Sequence, residues 1–161
     1  MEEIIGDNMY IIVAGAGMVG RNVIKELVQR GHDVVAIDQN KEVCEKISTT
    51  TGAQVIHGDA SELGVLRDAG IERSDVCIGL IGKDSANLAF TILSEGFDVP
   101  NILVRMKNPS YKDAYLRAGA HKIINMVELY MDNLLMEIEH PTMKRVARLG
   151  EGKASIVIVE I

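Results

Sequence analysis

The residues whose types and spacing could do chemistry sit near the amino end: Gly15-Ala16-Gly17-Met18-Val19-Gly20, followed at a distance by Asp38. Three small residues at that spacing serve three needs: a tight turn, contact between bare backbone and a pyrophosphate, and close packing of the helix that follows. The diphosphate would rest on exposed amides and on the positive end of that helix, without a basic side chain. A carboxylate about 20 residues further on, closing the next strand, completes the pattern, because it can accept hydrogen bonds from both hydroxyls of an adenosine ribose. The same carboxylate repels a 2′-phosphate, so NAD is favoured over NADP. In a bland reading Asp38 merely caps the helix that begins after Asn40.

Catalytic chemistry is not visible. A dehydrogenase needs a proton donor or acceptor beside the carbon that exchanges hydride, such as a Tyr-x-x-x-Lys pair on a helix. Four residues after Tyr111, Tyr130 and Tyr10 stand Tyr115, Leu134 and Ala14. His32, His57, His121 and His140 are scattered at strand edges and turns without metal-ligand spacing. The expectation is therefore no catalytic residue, no metal and no enzymatic activity. The rival is the cofactor-binding part of an NAD-dependent oxidoreductase. Cys44 and Cys77 form no paired motif and read as small buried apolar side chains in a reducing compartment.

Positioning the glycine loop requires a buried strand before it and a helix behind it. Met9 to Ala14 is an apolar run rich in β-branched residues, and Val19, Val23, Ile24, Leu27 and Val28 recur at helical spacing up to Gly31. The alternation continues with strands at 33–38, 53–57, 76–81, 102–105 and 121–124, and helices after Asn40, at 61–69, at 85–96 and at 109–118. Six strands alternating with five helices predict an α/β fold of Rossmann type, a doubly wound parallel six-stranded sheet, since each parallel neighbour is reached through a crossover. After Asn125 the pattern changes. Val127 to Glu139 is an amphipathic helix without a place on that sheet, Thr142 to Leu149 reads as a further helical turn or two, and 154–161 reads as an extra terminal strand. A strand with nothing following it implies a longer parent chain or pairing with another subunit.

Four further stretches, His57-Gly58-Asp59-Ala60-Ser61, Asp84-Ser85-Ala86-Asn87, Val104-Arg105-Met106-Lys107-Asn108-Pro109 and Ala118-Gly119-Ala120, join the glycine loop and Asp38 in a recognisable set. Together they resemble the KTN domain (TrkA-N), the nucleotide-binding lobe of the RCK modules of potassium-uptake proteins and gated potassium channels, from Met9 to the chain end. The resemblance implies that residues 15–19 hold phosphates, Asp38 with its neighbour Gln39 the adenosine ribose, and Asp59 with Ala60 the adenine edge. It further implies that Ile81 and Gly82 floor the second half of the ligand and that Asn87 and Arg105 face its distal phosphate or ribose. Asp59 and Asn87 also suit ordinary helix starts, and Arg105 an exposed strand end. Family members that take ATP or ADP often carry an arginine between the second and third glycines; Met18 and Val19 stand there instead, which resembles the type associated with NAD(H), with ATP or ADP as the alternative.

By the same resemblance, residues 1–125 form the nucleotide-binding domain, and 126–161 supply a crossover helix, hinge and terminal strand for dimerisation, with the carboxy-terminal RCK lobe absent. The implied role is a regulatory subunit, a homodimer or larger ring, whose nucleotide occupancy controls a membrane potassium transporter or channel. The helix at 127–139 could instead fold back on its own sheet. Composition agrees with a single compact domain: 161 residues, 47% hydrophobic, 25% charged, no Trp. A net charge of −6 argues against nucleic acid. With no membrane span and acidic rather than basic first residues, the expected place is the cytoplasm, peripheral to the inner face of the membrane through the partner.

Overall fold

The computed structural model describes residues 8–141, 143–149 and 154–159. They fall into two units, the first ending at Ile124 and the second beginning at Asn125.

In the first unit, strand and helix alternate as β1 (Tyr10–Ala14), α1 (Met18–Gln29), β2 (Asp33–Asp38), α2 (Lys41–Thr51), β3 (Gln54–His57), α3 (Leu63–Asp68), β4 (Val76–Gly79), α4 (Asp84–Glu95), β5 (Asn101–Met106), α5 (Lys112–Arg117) and β6 (Lys122–Asn125). Short 3-10 turns precede β4 at Ile71–Arg73 and α5 at Pro109–Tyr111. The sheet order is β3-β2-β1-β4-β5-β6, all parallel. The chain therefore winds outward one way from β1, then returns and winds the other way, so that the crevice between the two directions opens at the carboxyl end of β1.

The continuous apolar runs follow from covering the sheet on both sides. Along β1, Ile12 and Ala14 enter one core with Val35, Ile37, Leu66, Cys77, Phe90 and Tyr115, while Ile11 and Val13 enter the other with Ile24, Val34, Ala36 and Ile47. Side chains alternate faces at period two, and here both faces are dry, so no polar alternation survives. Each aliphatic side chain buried in full contributes about 1.5–3 kcal/mol. Cys44 and Cys77 are free and buried, and burial raises the thiol pKa of both. They fill space as apolar groups.

Helix ends are finished with side chains in several places. Asn40 begins α2 by accepting hydrogen bonds from the amides of Glu42 and Val43, at 2.9 and 3.2 Å. Gly52 ends α2 in the left-handed conformation, φ +77°.

The second unit contains α6 (Met126–Glu139), capped by the Asn125 carboxamide, and two strands, β7 (Met143–Leu149) and β8 (Ala154–Val159), which pair antiparallel. The sequence reading is corrected at this point. Residues 143–149 are a strand and not helical turns, and the terminal strand finds its partner in them. Met143, Val146 and Leu149 recur every third residue, which imitates a helix; the irregular register between Arg145 and Ala147 shows why, since a bulge breaks the period of two. The lone-strand argument for a missing partner falls with it. The expected residues 1–7, 142, 150–153 and 160–161 lie outside the described residues.

Candidate functional site

The carboxyl ends of β1 to β5 frame a cleft of about 590 Å³, within the size range of small-molecule and cofactor sites. Its wall is built first by glycines with different duties. Gly15 turns at φ +97°, and a Cβ there would lie 2.8 Å from the Leu80 carbonyl and the Ile81 amide. At Gly20 an added Cβ would overlap the Gly15 carbonyl, so α1 can approach β1 only with hydrogen at that position. Gly17 is different. A Cβ at Gly17 would meet nothing within 4 Å, so the protein itself has no need of glycine there. What the missing side chain keeps clear is the cleft.

Gly17 also begins α1, without a side-chain cap and without an acidic residue in the first turn. The first amides of a helix have no partner inside it. Here they face a cleft with the positive end of the helix dipole behind them, which is the arrangement that holds a diphosphate.

Asp38 closes β2 beside this loop. One carboxylate oxygen accepts from the Ala16 amide at 2.8 Å and the other from the Asn40 amide at 2.8 Å. The carboxylate thus fixes the glycine loop to the end of β2, and each oxygen keeps a further lone pair for a ribose hydroxyl. Ala16 is consequently buried and does not line the cleft, whereas Gly15, Gly17, Met18, Val19, Gly20, Asp38 and Gln39 do.

On the β3 side, Asp59 and Ala60 line the cleft. Asp59 accepts from the Ser61 hydroxyl at 2.7 Å and the Ser61 amide at 2.8 Å, and these bonds hold its carboxyl below the ordinary carboxylate range. His57 turns its Nε2 to the Gln39 carbonyl at 2.9 Å, which joins the loops after β2 and β3.

On the β4 and β5 side, Ile81, Gly82 and Arg105 line the cleft as the sequence placed them. Arg105 donates from Nη2 to the Ile81 carbonyl at 3.1 Å, while its Nε is buried without a hydrogen-bond partner. Asn87 is not brought to the cleft surface. It is 1% exposed, and its carboxamide accepts from the Ile81 amide at 3.0 Å and donates to the carbonyls of Ile81 and Arg105 at 2.9 and 3.2 Å. It positions the loops that carry Ile81 and Arg105 instead of facing a ligand itself. Nearby, Asp84 accepts from the amides of Lys107 and Asn108 and from the Tyr115 hydroxyl; burial opposes its ionisation, but these bonds outweigh burial and lower its pKa.

The cleft also takes in Ile37, Gly58, Leu80, Lys83 and Ala86, to which the sequence reading gave no ligand role. Lys83 was the findable one, because it is a cation just beyond the carboxyl end of a strand, where ligands sit in open α/β sheets. Ile37 and Leu80 looked like core alone. Among the described residues, no group of three or more His, Cys, Asp or Glu is arranged to hold a metal, and no helix is long and apolar enough to cross a membrane.

Sheet order, glycine loop and acidic strand end together define a doubly wound domain of Rossmann type. Its family follows from comparison with known proteins, where the TrkA-N domain matches residues 11–126. The chain belongs to the TrkA-N family. It is 31% identical over 153 residues to the "Trk system potassium uptake protein TrkA homolog" of Methanothermobacter thermautotrophicus, covering 95% of this chain and 71% of that protein. To the TrkA of Vibrio alginolyticus it is 29% identical over 163 residues, covering 94% of this chain but only 35% of the relative's length. Among solved structures, the GsuK channel bound to NAD superposes with a TM-score of 0.72 at 19% identity, covering 79% of this chain and 23% of that one. GsuK bound to ADP gives 0.73 at 18%, covering 84% and 36%. At those identities the likeness shows the fold alone.

Proposed function

We propose that this chain is the nucleotide-sensing part of a regulator of potassium uptake, and that its ligand is NAD(H), held by the ADP half. The observation that carries this reading is Gly17: an open position above bare helix amides, with Asp38 at its side, in a domain that has no internal use for glycine there. The α1 amides take the diphosphate, Asp38 the ribose, and Asp59 with Ala60 the adenine edge. Met18 and Val19 offer no cation to a terminal phosphate at the loop, which favours the dinucleotide over ATP. Relatives named as TrkA potassium-uptake proteins, and a channel solved with either NAD or ADP, support a nucleotide ligand and a membrane potassium transporter or channel as partner. The domain would then work at the inner face of the membrane through that partner.

Regulation, not catalysis, is the proposed role. The ionisable groups of the described cleft lining are Asp38, Asp59, Lys83 and Arg105, with neither tyrosine nor histidine to exchange a proton with a hydride acceptor. On α6, Val127, Tyr130 and Ile138 are exposed, a surface suited to pairing two copies. Occupancy acts on the partner only by binding one arrangement of the pair more tightly than another.

The test is calorimetric titration of the purified chain with NADH, NAD+, ADP and ATP, alongside Asp38→Ala. The variant should lose affinity for adenosine nucleotides by about tenfold, or 1.4 kcal/mol, through lost ribose hydrogen bonds. Unchanged affinity would remove Asp38 from the site.

A further inference from the structure

A second cavity, of about 470 Å³, lies between α1 and α2. It meets the glycine loop at Ala16, whereas Gly15 and Gly17 line the nucleotide cleft. Its floor is apolar, with Ala16 and Ile47 buried and Val43 half-buried. Its rim is basic: Arg21 and Lys25 from α1 and Lys46 from α2 are exposed there, against the one carboxylate of Glu42. That is a local excess of positive charge in a chain whose net charge is −6. Elsewhere on the same two helices cations are matched at one-turn spacing, Arg30 with Glu26 at 2.9 Å and Lys41 with Glu45 at 4.0 Å. Arg21 and Lys25 instead repeat one sign at that spacing, an arrangement that destabilises a helix by about as much as an opposite pair supports it. Neither they nor Lys46 form an ion pair among the described residues.

We infer that this groove is a docking site for an acidic segment of a partner protein, one that carries aliphatic side chains between its carboxylates. The cations are spread along two helices instead of converging on a point, so a chain laid in the groove can bring a carboxylate to each, with Arg21 able to take one in bidentate fashion. Its aliphatic carbons would cover Val43 and Ile47 and gain by leaving water. A compact anion such as phosphate is served less well. Asn22, Thr50 and Thr51 donate to carbonyls of their own helices, the Glu42 and Val43 amides are held by Asn40, and Glu42 itself repels concentrated negative charge. A bilayer surface is also a poor match, because Ile47, at 3% exposure, lies too deep for a flat face to reach. The groove and the cleft share no lining residue, so both can be filled at once, and a docked partner touches the glycine loop at Ala16. The inference goes beyond the nucleotide reading and does not rest on it.

The experiment titrates the isotope-labelled chain with a short peptide of alternating glutamate and leucine, and with the same peptide carrying glutamine for glutamate, reading amide NMR shifts and affinity. The glutamate peptide should bind at least about fivefold more tightly at low salt, with the advantage shrinking as salt rises. Its shifts should gather at Ala16, Arg21, Lys25, Val43 and Lys46. Lys25→Gln combined with Lys46→Gln should weaken it about fivefold, whereas Lys112→Gln combined with Lys122→Gln, an equal change in net charge at exposed positions of α5 and β6, should stay within about twofold. Arg21→Gln repeats the test from the same rim, and thermal unfolding of each variant reports that it is folded. Equal binding of the two peptides, shifts centred on the cleft or on α6, or equal losses in both double variants would overturn the inference. So would retention of phosphatidylglycerol vesicles, and not of the peptide, through Lys25 and Lys46. Titration of the same proteins with ADP reads the cleft separately: peptide binding without ADP binding removes the nucleotide reading alone, and the converse removes this inference alone.

Discussion

Helices α1 and α2 start at the same edge of the same sheet, and they are finished in opposite ways. The first amides of α2 are taken up by the Asn40 side chain, while those of α1 follow a glycine that offers them nothing. An uncapped start forgoes about 1 kcal/mol that a good cap supplies. Helices α3, α4 and α5 also start without a side-chain cap, so what sets α1 apart is that its bare amides follow a glycine whose missing side chain leaves open space at the cleft. The glycines make the same division, since Gly15 and Gly20 answer to neighbouring backbone and Gly17 answers to open space.

The sharpest way to break this comparison is at Gly20, where a methyl group collides with the Gly15 carbonyl. Gly20→Ala should cost about 3 kcal/mol in denaturant unfolding, because backbone must move to admit it. A change below about 0.5 kcal/mol would mean that α1 and the loop are not packed as described. Next comes Gly17→Asp, which converts the start of α1 into the kind found at α2. Stability should hold or rise by about 0.5 kcal/mol, while affinity for ADP and NADH falls at least about a hundredfold, because a fixed carboxylate now occupies the phosphate position. If binding persisted, the bare helix end would have another purpose. The smallest effect belongs to Asn40→Ala, expected to lower stability by about 1 kcal/mol and to leave nucleotide affinity within about twofold. Reduced affinity there would show that the two helix starts do not divide the labour.

The fold of the first unit was legible because parallel strands covered on both faces must be apolar throughout, as residues 10–14 and 33–38 are, and because glycine or asparagine marks several helix ends. The glycine loop and Asp38 could be read for the same reason, as their spacing is dictated by one crossover. Elsewhere local pattern was not enough. Residues 143–149 become a strand through a partner that begins at Ala154, and the irregularity in that pairing disguised the period. Asn87 carries the polar type expected of a ligand contact, and nothing local in the sequence reveals that its carboxamide is occupied by Ile81 and Arg105. Lys83 was passed over because a charged residue near a helix start looks like ordinary solvated surface; only the assembled cleft shows what it faces.

That occupied carboxamide has a mechanical consequence. By tying the chain after β4 to the end of β5 through three hydrogen bonds, Asn87 turns one wall of the crevice into a fixed jaw. The opposite wall is tied in turn, by the Gly15 amide on the Ile37 carbonyl and the Ala16 amide on the Asp38 carboxylate, each at 2.8 Å. Both sides of the crevice are thus braced by the protein's own bonds, so a guest meets walls that are already set.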